Sequence, residues 1–212
     1  MATDSIQYWN DPSVTASLRA RQAGTTDFAK EVEQLLPPRS RVLELGCGAG
    51  DDAAWFAQHG HSVIALDVSE PLLDIAAQRF ADIPDLEFHR ADITHRFAVG
   101  GHSCDAVYSR LALDYFDHRT TMSIFSEVMW VLRSGGRFAF ACRSVDDPSY
   151  GRGEEVEPDY FVLGEHRQHF FSVDYAAELL DATGFVRAEI TTGEQKLYGE
   201  PSAYVRCVAV KP

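Results

Sequence analysis

Residues 41–52 read Arg41-Val42-Leu43-Glu44-Leu45-Gly46-Cys47-Gly48-Ala49-Gly50-Asp51-Asp52. An apolar run closes on an acid, then passes through three alternating glycines into a helix-like segment. A parallel strand that feeds a helix through glycines lets the backbone approach a ligand closely, because glycine accepts positive φ and carries no Cβ. Phosphate is the usual guest at such a helix N-terminus. Here the helix opens on Asp51 and Asp52, two carboxylates that would repel a pyrophosphate. Asp51 also occupies the position where a dinucleotide fingerprint places its third glycine. The pattern favours a nucleoside ligand that has no phosphate and some positive charge, which Glu44 would meet directly or through water.

Glu44-x-Gly46-x-Gly48-x-Gly50 resembles motif I of the class I S-adenosylmethionine-dependent methyltransferases, whose cofactor has a sulfonium and an α-ammonium. The rest of the chain extends the resemblance. His61-Ser62-Val63-Ile64-Ala65-Leu66-Asp67 is a second apolar run ending in an acid, placed to accept hydrogen bonds from both ribose hydroxyls. Ser69-Glu70-Pro71 reads as a helix start, with Ser69 as N-cap. Leu86 to Ile93 is a third strand, with Asp92 where this family meets the adenine amino group and Ile93 against the ring. Cys104 to Arg110 is the fourth, whose end faces the transferring methyl. Leu132 to Phe140 matches the family's helix end, Gly135-Gly136 turn and fifth strand. Singly, a glycine triplet also makes ordinary turns, and Asp67 or Asp92 also reads as a loop acid or helix cap. Core packing, however, gives no reason for three ordered apolar runs to end in acids at the same end.

The resemblance implies a Rossmann-like α/β fold, a doubly wound seven-stranded sheet that is mostly parallel with a C-terminal antiparallel strand. It implies S-adenosylmethionine as cofactor and S-adenosylhomocysteine as product. The cofactor contacts it implies are Tyr8, Glu44, Gly46, Cys47, Gly48, Gly50, Asp67, Val68, Asp92, Ile93, Ser109 and Arg110.

Composition agrees. At 212 residues and 45% hydrophobic, the chain can bury one substantial core, so a single domain over residues 1–212 is the expectation. A net charge of −13 with no basic run argues against nucleic acid and against an anionic membrane surface. Cys47, Cys104, Cys142 and Cys207 are far apart in a chain without a zinc-type spacing, so they read as reduced thiols and no metal is expected. The N-terminus carries no secretory pattern and no run approaches membrane-spanning length. A cytoplasmic protein, monomer or homodimer, is the expectation.

Three stretches divide the work. Residues 1–38 are helical, most clearly from Phe28 to Leu36, and Pro37-Pro38 stops them. In the family resembled, such an extension packs over the cofactor mouth, making Tyr8-Trp9 a lid and substrate wall; the alternative is a surface helix that two aromatics anchor. Residues 39–142 form the cofactor half. Residues 143–212 begin with the polar loop Arg143 to Gly153, too long for a simple connection and so a part of the site. A helix over about 173–182 follows, then two alternating strands, 186–190 and 204–210, as an antiparallel hairpin. The Asp147-Pro148 loop and His169-Phe170-Phe171-Ser172 resemble the small-molecule branch that includes the tellurite-resistance and thiopurine types.

Methyl transfer from a sulfonium is an in-line displacement in which positioning supplies much of the acceleration, and a base is needed only if the acceptor loses a proton. Asp114, Tyr115 and His118 follow strand four, and His166 and His169 follow the long loop. His169 is the favoured base, because beside Phe170 and Phe171 its imidazole would stay neutral; the alternative is a histidine that bonds local backbone. The Asn/Asp-Pro-Pro-aromatic clamp of enzymes that methylate planar amines is replaced by Ser109-Arg110-Leu111-Ala112. Arg110 is left with three roles: fixing the cofactor, attracting an anionic acceptor, or ending a strand. The expected reaction is methyl transfer to O, N or S of a small-molecule acceptor. The alternatives are a non-catalytic regulatory module that binds S-adenosylmethionine or S-adenosylhomocysteine, and an oxidoreductase on a nucleotide-binding fold.

Overall fold

The computed structural model describes residues 3–15, 24–197 and 199–212. Five strands come first in sequence order, β1 (Arg41–Leu45), β2 (Ser62–Asp67), β3 (Leu86–Arg90), β4 (Cys104–Arg110) and β5 (Leu132–Arg143), with helices between all but β3 and β4. The helices are α1 (Thr3–Asn10) and α2 (Asp27–Glu33), then α3 (Asp51–Gln58), α4 (Glu70–Arg79) and α5 (His118–Val131). The three short strands β6 (Glu154–Glu157), β7 (Tyr160–Leu163) and β8 (His166–His169) precede α6 (Val173–Thr183), and β9 (Val186–Leu197) and β10 (Glu200–Val210) close the chain.

The main sheet has seven strands in the order β3-β2-β1-β4-β5-β10-β9. Only β10 runs against its neighbours, pairing antiparallel with both β5 and β9. The strand order reverses between β1 and β4, which opens a crevice at the carboxyl ends of these two strands; in such sheets that is where ligands bind. This is the mostly parallel sheet that the alternating pattern predicts.

Strand alternation sorts the core. Leu43, Leu45, Phe138 and Phe140 pack with Phe125 of α5 and Leu179 of α6 on one face, while Val42, Ala106 and Tyr108 pack with Phe28 of α2 and Phe56 of α3 on the other. Each fully buried phenylalanine or leucine contributes roughly 2 kcal/mol. Glu44 shares the face of Val42 because side chains two apart on a strand point the same way. The sheet thereby buries a carboxylate under α3.

Several segments differ from the sequence reading: β3 stops at Arg90, short of Ile93, and β9 and β10 extend well beyond 186–190 and 204–210. Helix α2 ends at Glu33, three residues before the predicted stop at Leu36; Thr26 caps its start by accepting from the Ala29 N–H. The larger difference lies after β5, where β6, β7 and β8 form a separate three-stranded antiparallel sheet. It is stitched to the end of β5 by the Phe171 N–H on the Arg143 carbonyl, 2.8 Å, and the Val145 N–H on the Phe171 carbonyl, 3.2 Å. The long loop thus carries structure of its own above the carboxyl end of the main sheet.

Candidate active site

Gly46, Gly48 and Gly50 all take positive φ, at 76°, 54° and 80°, and they do different jobs. A Cβ on Gly46 would strike the Ala112 methyl, and one on Gly50 would meet the Phe88 ring at 2.7 Å. Both are packing glycines. A Cβ on Gly48 would meet no protein atom within 4 Å, so this glycine faces open space at the crevice. The turn is tied to the next strand by the Gly46 and Cys47 N–H groups, which both donate to the Leu66 carbonyl.

Glu44 lies beside that space, 4% exposed, and its Oε2 is buried without a hydrogen-bond partner. Burial raises its pKa well above the ordinary carboxylate value, and Asp52, Asp67 and Asp51 push it further up while Arg110 pulls it down. A buried acceptor with no donor costs about 1–3 kcal/mol, a cost that a bound ammonium removes. The first-turn acids that argued against phosphate are already engaged. Asp51 pairs with Arg79 at 2.7 Å. Asp52 accepts from the Tyr108 hydroxyl at 2.8 Å and from the Thr26 N–H and hydroxyl at 2.8 and 2.9 Å, locking the start of α2 onto α3 and β4.

Asp67 ends β2 with Oδ2 accepting from the Gly48 N–H at 2.7 Å and Oδ1 accepting from the Ser69 N–H at 2.8 Å. Burial raises its pKa, and these backbone donors work against the rise. The carboxylate is therefore held by backbone at the glycine turn itself. Asp92 accepts from the Thr94 N–H at 2.9 Å and hydroxyl at 2.8 Å, and Ile93 beside it is buried. On β4, the Ser109 hydroxyl donates to the Leu45 carbonyl at 3.0 Å, bracing the two central strand ends. Arg110 is half-buried at the end of β4, close enough to act electrostatically on Glu44. Buried Cys47 has its thiol pKa raised by desolvation, then by Asp67 and Glu44, and stays a thiol.

Helix α1 lies across the β2–α4 loop. Ser69, expected to cap α4, makes no side-chain cap; its hydroxyl instead donates to the Trp9 carbonyl at 2.6 Å. Asn10 donates to the Val68 carbonyl at 3.4 Å and accepts from the Glu70 N–H at 3.1 Å. From this anchorage the Trp9 ring meets Tyr115 at 4.7 Å, and Tyr8 and Tyr115 meet His166 at 5.9 and 6.0 Å between ring centroids. Tyr115 belongs to the 3-10 turn Leu113–Tyr115 after β4. Four aromatic rings from three distant segments thus stand together above the strand ends.

His169 is not among them. It is 2% exposed, with Nδ1 bonded to the Phe116 carbonyl at 2.9 Å and its ring packed on Tyr175 and Phe171. Its lowered pKa comes from burial, as expected, but the imidazole is anchored to local backbone. His166, three residues earlier on β8, points to the opposite face because strand side chains alternate. Its pKa is lowered by burial and then by the Arg143 charge, with Gln168 working the other way. Sequence reasoning could have separated the two histidines from the turn signals Pro158-Asp159 and Gly164-Glu165, which mark β7 and β8 as short strands.

Comparison with known proteins gives the site its family. A methyltransferase domain model matches residues 42–136, the stretch from β1 to the turn inside β5. The matched stretch is similar to a methyltransferase domain, in line with the resemblance of Glu44-x-Gly46-x-Gly48-x-Gly50 to motif I of the class I S-adenosylmethionine-dependent methyltransferases. A malonyl-[acyl-carrier protein] O-methyltransferase from Marinomonas sp. (strain MWYL1) is 28% identical over 143 residues, covering 66% of this chain and 50% of the relative. This chain spans about half the length of the first curated relatives it matches. Among solved structures, an S-adenosylmethionine-dependent methyltransferase from Methanosarcina mazei superposes with a TM-score of 0.76 at 18% identity, covering 89% of this chain and 99% of that one. A 1,6-didemethyltoxoflavin-N1-methyltransferase from Burkholderia thailandensis, with its substrate and S-adenosylhomocysteine bound, gives 0.71 at 22%, covering 94% and 80%. The chain's own residues fit S-adenosylmethionine, with an orphaned carboxylate oxygen on β1 and, in the turn that follows, a glycine that faces open space. These likenesses extend to the fold and the domain family without singling out the tellurite-resistance or thiopurine branch.

Proposed function

We propose that this chain transfers a methyl group from S-adenosylmethionine to O, N or S of a small-molecule acceptor. The buried Oε2 of Glu44, unpartnered beside the open face of Gly48, carries the reading, because it asks for a cationic donor where a phosphate-bearing nucleotide would be repelled. When bound, the cofactor supplies a methyl already activated by its sulfonium. Glu44 takes the α-ammonium, Arg110 the α-carboxylate, Asp67 the ribose hydroxyls and Asp92 the adenine amino group, with Ile93 under the ring. Cys47, Val68, Ser109 and the packing glycines Gly46 and Gly50 shape that cradle.

Helix α1 closes over it as a lid, with Tyr8 and Trp9 as the wall between cofactor and acceptor; the hydrogen bonds to Val68, Ser69 and Glu70 support this placement. His166, neutral beside Tyr8 and Tyr115, is the group placed to take a proton from an acceptor that must lose one, a role for which His169 is anchored too deep. The division of labour is then lid in residues 1–38, cofactor cradle in 39–142 and acceptor wall in 143–212.

The experiment is a calorimetric titration with S-adenosylhomocysteine, followed by labelled-methyl transfer across metabolite extracts read by mass spectrometry. Cofactor binding together with a labelled product supports an enzyme. Tight binding with no product from any extract points to the regulatory module, and NAD binding tighter than S-adenosylhomocysteine overturns the cofactor assignment.

A further inference from the structure

Beyond the aromatic mouth lies a cavity of about 440 Å³, within the range of small-molecule sites. It sits between the three-stranded sheet and the start of β10, and His166 belongs to both the mouth and the cavity wall. Its lining combines apolar rings, Phe161 and Phe170, with two guanidinium groups, Arg143 and Arg152, and the polar Gln168. Two arginines on one wall are unexpected in a chain of net charge −13.

We infer that this cavity receives the anionic group of the methyl acceptor, a carboxylate or phosphate carried on an apolar body, with Arg143 and Arg152 as its counter-charges. The inference rests on the methyltransferase reading and names the substrate class for it.

The state of Arg143 is the main support. Its Nη1 stands 3.4 and 3.5 Å from the two oxygens of Asp147, well beyond the usual 2.7–2.9 Å of a charge-assisted bond. Asp147 has closer donors: the Ser149 N–H at 2.9 Å and its hydroxyl, the Ser202 hydroxyl at 2.5 Å and the Ala203 N–H at 3.0 Å. The lone pairs of Asp147 are thus shared with loop backbone and serines, and the guanidinium pairs with it only at long range, with the Ser149 hydroxyl also at 3.4 Å from Nη1. Bidentate capture of a carboxylate or phosphate is what such a fork does best. Burial, and after it the same charge, lowers the pKa of His166, which keeps that imidazole neutral at the boundary between acceptor and methyl. Glu200 also lines the cavity, exposed at its rim, and favours a single anionic group over a polyanion. Phe161 and Phe170 stack edge to face on Tyr150, giving a flat apolar body a wall to lie on.

The test uses the full chain saturated with S-adenosylhomocysteine and four probes of one shape: benzoate, phenyl phosphate, benzamide and benzylamine, with binding followed by amide chemical-shift perturbation. Benzoate or phenyl phosphate is expected to bind about tenfold tighter than benzamide, one charge-assisted pair's worth. Whichever anion binds tighter assigns the source of the charge. Arg152→Gln, at an exposed position that should leave the fold intact, is expected to reduce the preference about threefold, and Arg143→Gln to abolish it. Equal binding of benzoate, phenyl phosphate and benzamide, tightest binding of benzylamine, or no binding of any probe would overturn the inference. Because saturation with S-adenosylhomocysteine is measured separately, these outcomes are distinguishable from failure of the cofactor assignment.

Discussion

The two ends of the crevice are built by different means. On the cofactor side, each group sits at the end of its own strand, and its position follows from local chain geometry: Glu44 on β1, Asp67 on β2, the glycines in the turn between. On the acceptor side, Tyr8, Tyr115 and His166 meet from three segments about fifty or more positions apart, and nothing local brings them together. The cofactor side is also over-determined, because the Asp67 carboxylate is held by the Gly48 and Ser69 N–H groups before any ligand contact. The acceptor side depends on ring contacts and on one helix seated by hydrogen bonds to a loop. A conserved chemistry with a variable substrate calls for this contrast, with a rigid cradle on one side and an adjustable wall on the other.

That contrast can be broken most sharply at Gly48. Gly48→Val places a branched side chain at φ 54° and fills the open face of the turn, where its Cβ meets no protein atom within 4 Å. Strain of about 1–2 kcal/mol and lost ligand space together predict roughly a hundredfold weaker S-adenosylhomocysteine binding by calorimetry. Binding unchanged in the folded variant would remove Gly48 from the cradle. Asp67→Ala follows, with a loss of about 1–3 kcal/mol from ribose hydrogen bonds. Its thermal midpoint is expected to fall as well, since the Gly48 and Ser69 N–H groups lose their acceptor.

A pH profile of stability probes the buried acids. Asp114 lies after β4, fully buried, and its pKa is raised from 3.8 to about 7, chiefly by burial. A carboxyl with a raised folded-state pKa binds more protons folded than unfolded, so its contribution to stability is lost as pH rises from about 4 to about 7. Raised pKa values at Glu44 and Asp67 act in the same sense. Asp114→Asn should therefore flatten the decline of the melting temperature across that interval in the ligand-free protein. A profile parallel to wild type would show that Asp114 stays ionised. The smallest effect is expected at the lid: Trp9→Ala removes the ring contacts with Tyr115 and Tyr8, which lie in the wall and not in the cradle, so a loss of about 1 kcal/mol is expected and cofactor affinity should fall about fivefold at most. A hundredfold loss would move Trp9 from the wall into the cradle.

How much of this was legible in the sequence follows the same division. The order of β1 to β5, the bounds of β4, the start of α6 and the closing hairpin could be read from apolar runs and turn residues, because these signals are local. So could the acids, since a carboxylate at the end of an apolar run needs a reason. What alternation could not show was which helix covers the face that Glu44 shares with Val42, and with it the proximity of Asp52. The sheet of β6 to β8 was obscured because Glu154–Glu157 is exposed throughout and carries no apolar alternation. Without that sheet, His169 was favoured over His166 for its aromatic neighbours, although the strand turns His166 to the mouth and His169 onto the Phe116 carbonyl. Ser69 had a helix-cap signature, yet its hydroxyl went to Trp9, a partner 60 residues away.

The pairing of Glu44 with the cofactor's α-ammonium is the central claim, and a double-mutant cycle tests it most directly. Wild type and Glu44→Gln are each titrated with S-adenosylhomocysteine and with its deaminated analogue, which lacks only the amino group. Loss of the amino group should cost wild type about 1.5–3 kcal/mol and the variant much less, because a buried charge-assisted bond exists in only one of them. Equal losses in both proteins would contradict the pairing and leave the buried carboxylate of Glu44 without its ligand.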